Sequence, residues 1–107
     1  MTSAPDPRDP SSGVVEGVDV DAVHDAVAAC TGVAGLGTSL PGSTATYLPG
    51  RRVPGVRVSP DAVELEIRAA WDSSAPQIFA EIKQALAVLA PGRRIDVTIA
   101  DIERETS

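Results

Sequence analysis

Four Pro-Gly dipeptides, at positions 41–42, 49–50, 54–55 and 91–92, set the strongest limit on what this 107-residue chain can fold into. Proline withdraws a backbone donor and fixes φ, and the glycine after it accepts the left-handed conformation that turns demand. Each pair therefore interrupts any helix or ladder that reaches it. Residues 40–59 cannot carry one long element, but short strand pieces around Thr44 to Leu48 and Val56 to Val58 remain compatible with the turns.

The stretches on either side do show long-element periodicity. Asp19 can cap a helix from about Val20 to Cys30, since Val20, Val23, Val27 and Cys30 recur at helical spacing. Gly32 stops it, and Val33 to Ser39 reads as a short strand weakened by Gly35 and Gly37. The clearest strand follows a turn at Ser59, Pro60 and Asp61: Val63, Leu65, Ile67, Ala69 and Trp71 alternate with Glu64, Glu66, Arg68 and Ala70. Ser73 or Ser74 caps a second helix with Pro76 in its first turn and a stripe of Ile78, Ile82, Ala85, Leu86 and Leu89. After Pro91 and Gly92, the residues Ile95, Val97 and Ile99 alternate with polar neighbours in a last strand reaching Ile102. The fold class this predicts is α+β, a two-layer arrangement with two helices packed on one face of a small mixed β-sheet, in the order α-β-β-β-α-β. Residues 18–107 are expected to form this single domain. Residues 1–17, with prolines at 5, 7 and 10, are expected to be a disordered tail.

Composition narrows the function classes. Aromatic content of 3%, carried by Tyr47, Trp71 and Phe79, requires a core of Val, Leu, Ile and Ala and leaves few platforms for stacking bases. A net charge of −6 repels nucleic acid and anionic lipid, so nucleic-acid binding is disfavoured. A lone Cys30 has no disulfide partner, and a lone His24 cannot assemble a zinc site with it. Those two residues are six apart on one helix and face different ways, so they do not form a nucleophile and base. Glu64 and Glu66 read as a solvated strand face, and Asp101, Glu103 and Glu105 as a charged C-terminal stretch. No cofactor, metal or enzymatic activity is expected. Without an apolar leader, a run long enough to span a bilayer or a basic amphipathic face, the chain reads as cytoplasmic, with no direct membrane insertion.

One concentration of positive charge stands out. Arg51, Arg52 and Arg57 lie on the Pro-Gly-rich segment, and Arg93 and Arg94 join them if the fold brings them close. Guanidinium forks suit carboxylate or phosphate partners, so these three arginines are the candidate partner-binding residues. They also motivate the alternative function, a small anion- or RNA-binding module. The run Gly32-Val33-Ala34-Gly35 satisfies the GxxG pattern of an RNA-gripping KH loop, but it leads into a strand-like stretch with no basic residue nearby.

Three stretches taken together, Val33 to Leu36, Ala45 to Val58 and Gly92 to Glu103, resemble the alkaline-shock family of envelope stress-response proteins of Gram-positive bacteria, in its actinobacterial form. In that family a helix leads into a GV-x-GL strand and a closing strand ends near V-x-D-I, matched here by Val97 through Ile102. The resemblance covers about Val18 to Glu103 and implies a non-enzymatic stress protein. Such a protein acts by protein-protein interaction, scaffolding or self-association, and is in some members held peripherally at the membrane by a membrane-anchored partner. Two departures are a leading helix with no strand expected before it and the absence of the Lys/Glu-rich tail that many members carry.

Overall fold

In the computed structural model, which describes residues 13–38 and 42–103, the fold begins with a hairpin. Val14–Val15 (β1) pairs antiparallel with Val18–Asp19 (β2), Val15 lying opposite Val18. Its turn has positive φ at both Glu16 (51°) and Gly17 (77°), the type I′ geometry whose twist suits a two-residue hairpin. This moves the boundary expected at residue 17 and supplies the strand expected to be missing before the first helix. The hairpin forms because Val18 is buried and Val15 packs against the core, a tertiary reward invisible in the local composition. Residues 1–12 of the expected tail lie outside the described residues.

Helix α1 spans Val20–Ala28, with the Asp19 side chain accepting a hydrogen bond from the Ala22 N–H at 3.1 Å. It stops before Cys30, which is half-buried just beyond it. Val33–Leu36 (β3) is shorter than expected, and Ser39 lies outside the described residues. Ala45–Leu48 (β4) and Arg51–Pro54 (β5) then pair with each other and, among the described residues, with no other strand, around Pro49 and a left-handed Gly50. This second hairpin is also absent from the order inferred from sequence.

Val56–Val58 (β6) and Ala62–Ala70 (β7) follow, then Ala75–Leu86 (α2) and Arg94–Glu103 (β8). Ser74 caps α2 by accepting from the Gln77 N–H at 3.3 Å. The main sheet is built on β7: β3 and β6 pair antiparallel with it and β8 runs parallel along it. Glu66 donates its N–H to Gly55 O at 2.9 Å, and its carbonyl accepts from the Gly37 N–H at 2.7 Å. Both backbone groups of one strand residue point to the same edge, so β3 and β6 share one edge of β7 end to end and β8 takes the other. The expected α+β class, with two helices and a mixed sheet, is what the chain adopts.

One cluster joins the buried positions Val63, Leu65, Ile67 and Ala69 of β7 to Val20, Val23 and Val27 of α1 and to Ile78, Ile82 and Leu86 of α2. It is aliphatic, as composition demanded. Trp71 departs from the alternation expected of it: β7 ends at Ala70, the chain turns toward the α2 cap, and the indole is 58% exposed.

Gly55 has no room for a side chain against the backbone around it. At its φ of +77° a Cβ would lie 2.7 Å from both Glu66 O and Gly37 N, backbone atoms already committed to hydrogen bonds. Gly55→Ala is expected to cost more than about 2 kcal/mol in urea unfolding, because strain and clash add. Glu16→Asn should instead gain about 0.5–1 kcal/mol, since asparagine tolerates the left-handed turn position better than glutamate. An unchanged midpoint in that variant would mean the hairpin is not closed in solution.

Candidate functional site

The three arginines singled out by sequence are held by three different partners. Arg51 makes a two-pronged bond to Asp21 in the first turn of α1, with Nη1 to Oδ1 at 2.7 Å and Nη2 to Oδ2 at 2.9 Å. It latches the β4–β5 hairpin to the helix. Arg57 lies directly across from Glu64 in the β6–β7 ladder, 3.6 Å from its carboxylate. Arg52 faces Tyr47 across the β4–β5 hairpin, with its guanidinium 5.9 Å from the ring centroid, and donates to Ser43 Oγ at 3.3 Å. Arg93 donates to the carbonyls of Ser59 and Glu16, and Arg94 to both oxygens of Asp96 at 3.0 Å.

Arg52 also borders an open groove of about 660 Å³ together with Gly37, Pro54, Arg68, Asp101 and Glu103. Arg68 is ion-paired with Glu103, and its guanidinium occupies the space that a side chain at position 35 would fill. Gly32 is equally tight, since a Cβ there would lie 2.5 Å from Ile78 Cγ1. Packing therefore accounts for both glycines of the GxxG pattern, and the run between them lies in β3 instead of a loop joining two helices. On the outer face of β7, Glu66 Oε1 and Arg68 Nε are buried without a hydrogen-bond partner among the described residues. Water or a partner group must satisfy them.

Cys30 sits by a shallow hollow of about 310 Å³ between the helices, beside Glu81. Burial, and then the nearby Glu81 charge, push its thiol above the usual range, and its Sγ donates to Ala26 O at 3.5 Å. A thiol held protonated is a poor nucleophile. His24 lies 3.4 Å from the Asp25 carboxylate, and among the described residues no three His, Cys, Asp or Glu side chains group as metal ligands. Glu105 lies outside the described residues. Among the described residues no helix is long and apolar enough to cross a membrane.

Sequence reasoning named the three aromatic residues but gave none of them a contact role. All three lie outside the buried core, with Tyr47 74%, Trp71 58% and Phe79 37% exposed. The Tyr47 and Arg52 pairing was legible, because a two-residue Pro-Gly loop at 49–50 sets Leu48 against Arg51 and hence Tyr47 against Arg52. The exposure of Tyr47 was not legible, since it depends on which face of the hairpin meets α1.

The Asp21 carboxyl is held below its usual value of 3.8, first by the hydrogen bond from Arg51 and then by the positive charges of Arg51 and His24, against opposing desolvation. A carboxyl more acidic folded than unfolded contributes fully above 3.8, and that contribution is lost as pH falls through the lower folded value. Asp21→Asn should therefore lower the thermal midpoint by about 2 °C at pH 7, with the gap closing as the pH is taken below 3.8; solvent screening keeps the effect small. A gap independent of pH would show that the latch does not form in solution.

The chain matches no protein-family model, no curated protein and no solved structure.

Proposed function

We propose that this chain is a non-enzymatic interaction domain of the alkaline-shock, envelope-stress-response kind, acting in the cytoplasm and recruited to the membrane through an anchored protein partner. In this reading the two helices cover one face of the sheet, and the partner is met by the β4–β5 hairpin beside the opposite face. The single observation that carries it is the placement of Tyr47 and Arg52, a tyrosine and an arginine stacked on the exposed side of a hairpin whose turn end is latched to α1 by Arg51. Aromatic residues and arginine are the types enriched at binding hot spots, and a pre-ordered pair loses little entropy on docking. The stack itself contributes about 0.5–1 kcal/mol at an exposed site, enough to orient the ring. A chain with few aromatic residues that spends none of them on its core keeps them for contact. Carboxylates already engage Arg51 and Arg57, which weakens the anion- or RNA-binding alternative.

The test is affinity capture from envelope-stressed cells with soluble and membrane fractions kept apart. The tagged chain is expected to recover a membrane-anchored protein from the membrane fraction. The Tyr47→Ala, Arg52→Ala double variant should recover at least about tenfold less, the loss of one good hot spot. Equal recovery by both proteins, or nuclease-sensitive recovery of RNA, would sink the reading.

A further inference from the structure

Among the described residues the outer edge of β8 is an open strand edge. β8 pairs with β7 on one side, and no described strand pairs with its other side. The Arg94 N–H donates to Asp61 O at 2.9 Å, so Arg94, Asp96 and Thr98 spend their backbone groups on β7. Alternation then turns the N–H and C=O groups of Ile95, Val97 and Ile99 outward. Their side chains pack against the core but are only half-covered, as expected where the sheet stops short. At Ala100 the ladder skips a residue, so that Asp101 takes the place beside Arg68. This bulge ends the regular edge and limits any added pairing to about six residues.

We infer that this edge pairs antiparallel with the same edge of a second copy of the chain, about a two-fold axis at Val97. Residues turned outward must oppose one another, and in this register Val97 meets Val97 while Ile95 meets Ile99, giving about six new backbone hydrogen bonds. The apolar half-covered faces of both sheets become continuous, which extends the core across the axis. Charge fits the same register. Arg94 of each copy lies opposite Asp101 of the other, and Asp96 lies opposite Thr98, whose hydroxyl donates to the carboxylate that Arg94 now holds. Shifting the copies by one pairing step toward the C-terminus sets Asp96 against Asp101, which like-charge repulsion disfavours. An edge this short buries less than the roughly 1,600 Å² of a standard interface, so association is expected in the micromolar range.

This pairing rests on the reading of the chain as an interaction domain and names one partner for it. Sedimentation equilibrium from about 10 μM to 0.5 mM is the measurement, at concentrations bracketing that affinity. The chain is expected to rise from 11.0 kDa toward twice that mass. Arg94→Asp and Asp101→Arg should each weaken association at least about tenfold while leaving circular dichroism unchanged. Mixing the two variants should restore it, because the first carries only acids at both positions and the second only arginines. A chain that stays at 11.0 kDa overturns the proposal and leaves the edge to a strand of another protein. So does a dimer indifferent to either variant, or a mixture no tighter than its parts. The Tyr47→Ala, Arg52→Ala variant should still self-associate, so lost partner capture with an intact dimer counts against the hairpin reading alone, and a lost dimer with intact capture against the edge alone.

Discussion

The two hydrogen bonds that Glu66 makes with Gly37 and Gly55 bring the end of β3 and the start of β6 to one point on β7. There β3 leaves the sheet edge and β6 enters it, so a single strand edge serves two partners in line. The approach is close: a Cβ on Gly55 would lie 2.7 Å from Gly37 N, and one on Gly37 would lie 2.9 Å from the Pro54 side chain and 3.2 Å from Gly55 N. This junction sets the level of β3 under α1, and it sets the point from which the β4–β5 hairpin projects. The fold relies on backbone proximity at that point more than on any side-chain contact.

An all-aliphatic core follows from that compactness. Valine, leucine and isoleucine fill the space between a short sheet and two short helices without the large flat volumes that aromatic rings need. The aromatic side chains are displaced outward, where they serve contact instead of packing. The outer sheet face balances its charges internally through the Arg57–Glu64, Arg94–Asp96 and Arg68–Glu103 pairs. Exposed pairs of this kind contribute little to stability. Their effect is to keep the face soluble and leave a short hairpin and a strand edge as its distinctive features.

Much of the architecture was legible residue by residue. Asp19 and Ser74 cap the helices as their sequence positions indicated, and the alternation from Val63 to Ala69 marked the central strand. The misses share a cause. Val14 to Asp19 carries no Asn-Gly or Asp-Gly turn signature, because the glutamate at the turn is strained there and is held by burial of Val18 and packing of Val15 against the core. Trp71 matched the period of β7 but fell past its end, since a two-residue period says nothing about where the chain must turn toward the next cap. The arginines were found, yet composition could not say that Arg51 belongs to Asp21, thirty residues away.

By itself the sequence determined the local choices: where turns must fall, which residues line each helix and strand, and that the core is aliphatic. These are governed by φ preferences and periodicity, which act over a few residues. Only tertiary structure decided that β3 and β6 share one edge of β7, that the middle segment closes into its own hairpin, and which charges are already paired. Those outcomes depend on contacts between residues far apart in the chain, where backbone hydrogen bonds and burial compete among many partners and no short pattern records the winner.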